Sequence, residues 1–115
     1  MLNTPFNTDD TINLDALKKN VHEALNAGVA GFLVPALAAE VYKLTEIERL
    51  KMVEAVLEAV ADKVPVIAGA GETDLLRCKR LIAKYISLCC KNILFQIPYE
   101  DDHQFKNHFV ELAEL

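Results

Sequence analysis

The sequence lacks the marks of a membrane, secreted or nucleic-acid-binding protein. No apolar run approaches the roughly 20 residues that a membrane-spanning helix needs. The first ten residues have neither the basic start nor the apolar stretch of a signal peptide. Twelve lysines and arginines stand against 17 aspartates and glutamates, a net charge of −5, whereas nucleic-acid binding needs a basic surface. We therefore expect a cytoplasmic protein that binds neither membrane nor nucleic acid.

Residues that form disulfides or bind metals are also scarce. The three cysteines, Cys78, Cys89 and Cys90, are odd in number and contain no C-x-x-C pair, as is typical of a reducing compartment. None of the three histidines has another histidine four residues away, the spacing that brings two ligands together on a helix. We predict no metal site and no cofactor.

The composition is that of a small folded protein. Of its 115 residues, 52% are hydrophobic and 25% are charged, proportions that exclude a disordered chain. A compact chain of this length buries roughly two-thirds of its extended surface. We therefore expect a single domain over residues 1–115.

Helical and strand patterns alternate along the chain. Four segments repeat apolar residues at steps of three and four, which predicts amphipathic helices. These helices span about residues 14–27, 45–62, 73–88 and 102 onward. Short apolar runs predict strands at residues 31–34, 65–69 and 92–97, with the remnant of a first strand at residues 2–4. The expected N-caps are Asn13, Thr45, Thr73 and either Asp101 or Asp102.

The apolar stripes also predict which side chains are buried. In the third helix they are Leu76, Ile82, Tyr85 and Ile86, and in the fourth they are Phe105, Phe109 and Leu112.

The alternation of four strands and four helices predicts an α/β protein of four βα units with a parallel sheet. Two architectures fit this pattern. One is a doubly wound sheet with helices on both faces. The other is half of a (β/α)8 TIM barrel, since a whole barrel needs about 250 residues.

Several short motifs, taken in order, resemble one enzyme family. They are residues 4–7 (TPFN), 15–17 (DAL), 27–31 (AGVAG), 44–50 (LTEIERL) and 64–71 (VPVIAGAG). In this order they are similar to the dihydrodipicolinate synthase / N-acetylneuraminate lyase family, over essentially the whole chain. The resemblance favours the half-barrel architecture.

The resemblance implies a class I aldolase, which binds pyruvate or another 2-keto acid as a Schiff base on a lysine. That lysine lies on the sixth strand of the family barrel, and a tyrosine that assists proton transfer ends the fifth. This chain resembles strands one to four and the helix after the fourth, so the resemblance implies no catalytic residue within it. The sequence agrees, because none of the four strand runs contains a lysine.

The family's Gly-Thr-Thr-Gly-Glu motif, which holds the keto-acid carboxylate, matches residues 36–40 (ALAAE). The resemblance therefore implies substrate binding by Ala36, Leu37, Ala38 and Glu40. Leu37 and Ala38 lack the two hydroxyls, which removes hydrogen bonds worth about 1.5–3 kcal/mol each to a charged ligand and leaves only backbone N–H groups there. For Glu40 the structural alternative is a carboxylate that ties down the loop.

The family's Thr-Pro-Tyr-Tyr segment after the fourth strand matches residues 97–100 (IPYE). Tyr99 matches the first tyrosine, and its alternative role is to pack the end of the strand. Glu100 replaces the second, which in the family reaches a neighbouring subunit's proton relay. Residues 69–73 (GAGET) lack the spacing of a phosphate-binding loop and predict a tight strand-to-helix turn.

These observations leave two functions open. The first is the N-terminal half of an aldolase-family barrel that is inactive alone, with a small 2-keto acid as ligand only in the parent enzyme. The alternative is a small non-catalytic assembly or binding module with flavodoxin-like packing. In either case we expect a homo-oligomer, namely a dimer that joins two half-barrels, because a half-barrel leaves strand edges unpaired and an apolar inner face exposed.

Overall fold

Helices and strands alternate from end to end, as the sequence predicts. The structure is a computed structural model and describes residues 2–35, 44–72, 74–95 and 101–115. Its helices are α1 (Leu14–Asn26), α2 (Glu46–Val60), α3 (Leu75–Ser87) and α4 (Asp102–Ala113), and its strands are β1 (Phe32–Val34), β2 (Val66–Gly69) and β3 (Asn92–Leu94).

Capping side chains fix where the helices begin. The Asn13 side chain accepts a hydrogen bond from the Ala16 N–H. Thr45 and Glu48 form a capping box at the start of α2, with each side chain bonded to the other's backbone N–H. The N-cap of α3 is Asp74 and not the predicted Thr73, which lies outside the described residues. Asp101, one of the two predicted candidates, caps α4.

The three strands form one parallel sheet in the order β1-β2-β3. The prediction of a fourth strand at residues 2–4 is wrong for the described residues. Here a single backbone hydrogen bond, from the Leu2 N–H to the Leu33 carbonyl at 3.2 Å, joins the N-terminal segment to β1. The next bond of a parallel ladder would run to the Leu2 carbonyl from residue 35, but Pro35 has no N–H to donate, and Phe6 pairs with Ile12 instead.

The sheet buries one face beneath the helices and leaves the other uncovered by them. Register pairs Phe32 with Val66 and Val34 with Ala68, and all four side chains are buried. The residues between them point the opposite way, and Ile67 on that face is 39% exposed. The shortest dimension of the molecule is 22 Å, which is about the combined thickness of one sheet and one layer of helices. The described helices therefore form the outer layer of half a barrel, and do not cover both faces as in a doubly wound sheet.

Helix α2 occupies the middle of the helix layer. It packs between α1 and α3 and against β1 and β2, so that it is apolar on more than one side. Its fully buried side chains are Met52, Val53, Val56 and Val60, and the facing helix α1 contributes Leu17 and Val21 to the same core.

Four predicted core residues are exposed. In α3 the buried stripe runs through Cys78, Leu81, Ile82 and Tyr85, and Leu76 and Ile86 lie off it, so that they are 72% and 45% exposed. In α4 only Leu112 is buried. Phe105 and Phe109 are 38% and 50% exposed, although the ring of Phe109 lies 5.8 Å from that of Phe95, and the helix that packs beside α4 is α3.

The end of β2 lies against the residue that follows β1. A Cβ atom added to Gly69 would lie 1.9 Å from the Pro35 carbonyl oxygen, closer than any side chain permits. A Cβ atom added to Gly71, two residues later, would have no atom within 4 Å. Glycine is therefore required at Gly69 by packing, and Gly71 has room for a methyl group.

Gly69→Ala should lower the free energy of unfolding by roughly 1–3 kcal/mol, because the methyl group forces two strand ends apart. Gly71→Ala is the matched control and should leave stability unchanged or raise it by up to about 1 kcal/mol. Urea unfolding followed by circular dichroism measures both. Equal effects of the two substitutions would show that the strand ends do not meet in this way.

Candidate functional site

The carboxyl ends of the three parallel strands lie at one edge of the sheet. Here β1 ends at Val34, β2 at Gly69 and β3 at Leu94. The turns that follow them therefore begin side by side, and the Ala70 N–H donates to the Leu94 carbonyl at 2.8 Å, which joins two of them. In α/β barrels this edge carries the active site.

Three consecutive carbonyl oxygens, at the end of β2 and in the turn after it, are each bound by a different side chain. The Tyr85 hydroxyl donates to the Gly69 carbonyl at 3.0 Å, and the Cys78 thiol donates to the Ala70 carbonyl at 3.1 Å. The Arg49 guanidinium donates to the Gly71 carbonyl at 3.3 Å. We call these three donors the carbonyl clamp. It fixes the backbone of the turn against α2 and α3.

Burial keeps the two α3 donors of the carbonyl clamp protonated. Tyr85 is fully buried, and burial raises the pKa of its hydroxyl well above the ordinary value. Burial, together with the nearby Glu72 charge, also raises the pKa of the Cys78 thiol. A raised pKa disfavours the thiolate, so Cys78 acts as a hydrogen-bond donor and not as a nucleophile.

Arg49 brings a positive charge into this nearly closed region. Its side chain is 7% exposed, and its Nη2 lies 3.4 Å from Oε1 of Glu72, whose side chain is 19% exposed. The pair neutralises a carboxylate in the turn after β2. The tight turn predicted for residues 69–73 is described as far as Glu72, and Thr73 lies outside the described residues.

A second charge network links the start of α2 to α3. Glu46 accepts from Lys84 Nζ at 2.6 Å and from Arg80 Nε at 3.2 Å. The Lys84 hydrogen bond, aided by both positive charges, holds the pKa of Glu46 below its ordinary 4.5, although burial opposes the shift. Because the folded-state pKa is lowered, this contribution to stability is present above the ordinary pKa and is lost as the pH falls through the lowered one.

The predicted substrate-binding residues lie outside the described residues. Ala36, Leu37, Ala38 and Glu40 belong to residues 36–43, and Tyr99 and Glu100 belong to residues 96–100. The structure shows the flanks of these segments, since Pro35 follows β1 and Phe95 follows β3. Their assignment to the site therefore stays a prediction.

No lysine in the described ranges lies at the carboxyl edge of the sheet. Six are on helices, and Lys63 and Lys91 precede β2 and β3 at the opposite edge. Several helical lysines pair with carboxylates, such as Lys18 with Glu58 at 3.1 Å. Lys43 lies outside the described residues.

The described ranges contain no group of three histidine, cysteine, aspartate or glutamate side chains suited to a metal ion. Nor does any helix in that part of the chain have the length and apolar character to cross a membrane.

Sequence reasoning missed two of the three donors in the carbonyl clamp. Tyr85 was predicted to be buried, but Cys78 and Arg49 were not singled out. The sequence did contain a signal for Arg49. It lies four residues before Val53, and residues four apart share one face of a helix, so the charged Arg49 lies on the buried side of α2. An arginine on a core-facing stripe needs a partner, and the turn after β2 supplies it.

The fold and the arrangement of its strand ends define the class: this is the N-terminal part of a (β/α)8 barrel. The chain belongs to the dihydrodipicolinate synthetase family, which its residues 1–112 match.

Relatives and solved structures agree with this membership. The 4-hydroxy-tetrahydrodipicolinate synthase of Methanopyrus kandleri is 33% identical over 114 residues, which cover 97% of this chain and 38% of the relative. The corresponding enzyme of Haloarcula marismortui is 31% identical over 114 residues, which cover 96% of this chain and 37% of that enzyme. A crystal structure of a dihydrodipicolinate synthase superposes with a TM-score of 0.90 at 27% identity, covering 98% of this chain and 40% of that one. The chain thus spans about two-fifths of the proteins it matches.

Tyr85→Phe should lower the free energy of unfolding by about 1–3 kcal/mol, because it removes the hydrogen bond to a buried carbonyl. Ser87→Ala removes another hydroxyl bonded to a carbonyl on α3, but at an exposed position, and should change stability by less than about 0.5 kcal/mol. Urea unfolding of the two variants gives the comparison. A Tyr85→Phe protein as stable as the Ser87→Ala protein would refute this role of the hydroxyl.

Proposed function

We propose that this chain is the N-terminal half of the barrel of a carbon–carbon lyase that binds a 2-keto acid as a Schiff base. In this proposal it supplies part of the substrate-binding edge, lacks the Schiff-base lysine and is inactive alone. The observation that carries the proposal is the match of residues 1–112 to the dihydrodipicolinate synthetase family. The composition favours a cytoplasmic location for it.

The sheet geometry supports a contribution to substrate binding. Residues 36–40 follow Pro35 directly, and Tyr99 and Glu100 come five and six residues after β3 ends. Both segments therefore start from the carboxyl edge, where barrel enzymes bind their substrates. In our proposal backbone N–H groups of residues 36–40 bind the keto-acid carboxylate, since Leu37 and Ala38 offer no hydroxyl.

The positions of the lysines support inactivity of the isolated chain. Schiff-base formation needs an uncharged amine, which proteins obtain by desolvating the lysine or placing it beside another cation. The described lysines lie on helices or at the opposite edge, and several face carboxylates, which favour the charged amine. The nucleophile would then be supplied by the part of the barrel that this chain does not contain.

Borohydride trapping tests this proposal. The chain is incubated with pyruvate and sodium borohydride, and its intact mass is measured by mass spectrometry. We expect no adduct, whereas the full-length Methanopyrus kandleri synthase treated in parallel should gain one reduced pyruvate. A stoichiometric adduct on one lysine of the 115-residue chain would overturn the claim that the chain lacks the nucleophile.

A complementation arm tests membership of a catalytic barrel. The portion of the Methanopyrus kandleri synthase that follows its matched region is produced separately and mixed with this chain. Trapping on that portion should rise when the chain is present and should not rise with an equal amount of serum albumin. No rise above the albumin control would contradict a contribution of this chain to the substrate-binding edge.

A further inference from the structure

Two consecutive cysteines stand where α3 ends and the chain turns towards β3. Cys89 is exposed, whereas Cys90 is buried, with 5% of its surface exposed. Redox-sensitive proteins often place an accessible thiol, which reacts first, next to a second thiol that resolves the product. The two cysteines have this arrangement, and we call them the thiol pair.

The thiol pair forms the cap that ends α3. The Cys89 N–H donates to the Ile86 carbonyl at 2.9 Å, and the Cys90 N–H donates to the Tyr85 carbonyl at 3.1 Å. Cys89 has a φ of 65°, in the left-handed region, and together with these two bonds it completes a Schellman motif. Glycine is the usual residue at this position. Here the position holds a thiol, and the cap separates this exposed thiol from a buried one.

The buried thiol of the pair bonds to the sheet. The Cys90 Sγ donates to the Asn92 carbonyl, at the start of β3, at 3.3 Å, and to the Val66 carbonyl, at the start of β2, at 3.8 Å. These two acceptors share the one S–H proton of Cys90. A disulfide sulfur has no proton to donate, so oxidation of Cys90 removes both bonds at once.

We propose that the thiol pair is a reversible redox switch, which a low-molecular-weight disulfide closes into a bond between Cys89 and Cys90. This inference goes beyond the lyase function and does not depend on it, because it follows from the contacts of the two thiols.

The reaction proceeds in two thiol–disulfide exchange steps. The accessible Cys89 sulfur, as thiolate, attacks one sulfur of the small disulfide, which forms a mixed disulfide and releases one small thiol. The Cys90 sulfur then attacks the Cys89 sulfur, and the second small thiol leaves. The two protons of the cysteine thiols pass to the two leaving sulfurs. The thiol pair is oxidised by two electrons, and the small disulfide is reduced to two thiols.

Chain geometry makes the closed state easy to reverse. The Cα atoms of consecutive residues lie about 3.8 Å apart across a trans peptide bond, whereas those of disulfide-bonded cysteines are usually about 4.4–6.8 Å apart. A bond between Cys89 and Cys90 is therefore strained, and strained disulfides are readily reduced. This property is that of a switch and not of a permanent crosslink.

Closing the switch loosens the end of α3. The Cys90 sulfur must come within about 2.0 Å of the Cys89 sulfur, so it leaves its buried position beside β2 and β3. The Cys90 N–H bond to the Tyr85 carbonyl lies in the same turn, and the Tyr85 hydroxyl belongs to the carbonyl clamp. The oxidised chain should therefore be less stable than the reduced chain.

Treatment with oxidised glutathione, followed by mass spectrometry, tests the proposal on the full chain. Trypsin cleaves after Lys84 and Lys91, so Cys89 and Cys90 share the peptide of residues 85–91, and Cys78 lies on another. After free thiols are blocked with iodoacetamide, we expect peptide 85–91 to be unalkylated and about 2 Da lighter than its reduced form. Dithiothreitol should reverse this change.

Urea unfolding of the same samples tests the structural effect. The midpoint of the oxidised chain should lie roughly 0.5–1 M below that of the reduced chain, because two buried hydrogen bonds are lost. A closed disulfide with an unchanged midpoint would overturn the switch, since closing would then have no structural effect.

Cys89→Ser is the matched control, because it removes the accessible thiol and keeps the Cys90 contacts with the sheet. Oxidised glutathione should leave its mass and its urea midpoint unchanged. Cys90→Ser removes the resolving thiol, so glutathione should stay on Cys89, and circular dichroism verifies that both variants are folded. An unsubstituted chain that stays reduced, keeps glutathione on Cys89 or joins a second chain through Cys89 would overturn the proposal.

Discussion

Parallel sheets are found with both faces covered, and the helices described in this chain cover one of them. The helix side buries Phe32, Val34, Val66 and Ala68 completely or nearly so, and the opposite side leaves Ile67 and Leu94 exposed. This one-sided cover follows from topology, because right-handed crossovers between neighbouring parallel strands in sequential order all return on the same face. The order β1-β2-β3 therefore places all the described helices on one side and leaves the other side of the sheet free of them.

The covered side is held in register at the turn after β2. There the Gly69 backbone lies against the Pro35 carbonyl, and the carbonyl clamp binds the carbonyl oxygens of Gly69, Ala70 and Gly71 from α2 and α3. The helix layer and the strand ends are thus joined at the carboxyl edge of the sheet. A barrel enzyme needs such rigidity, because a substrate-binding edge is useful only when the strands that carry it keep their spacing.

Local rules predicted the elements, and the errors lie where a tertiary neighbour decides the outcome. Helix periodicity and capping residues such as Asn13 and Thr45 were sufficient to predict four helices, and short apolar runs between them predicted the three observed strands. Burial of Phe105 and Phe109 was predicted wrongly because periodicity reveals an apolar stripe but not whether an element covers it. Arg49 was missed because its role depends on a turn 22 residues away. The predicted substrate-binding residues were identified by resemblance and lie outside the described ranges.

The claim that the described elements leave one sheet face uncovered is tested most directly by thiol reactivity at adjacent positions of β2. Ile67→Cys and Val66→Cys are made in a Cys89→Ser background, since Cys89 is the exposed native cysteine and Cys78 and Cys90 are buried. Each variant is labelled with a thiol reagent at a dilution where sedimentation shows only monomer. We predict that the thiol introduced by Ile67→Cys reacts nearly as fast as in the unfolded chain, and that the thiol introduced by Val66→Cys is strongly protected. Equal protection of the two thiols in the monomer would contradict this account.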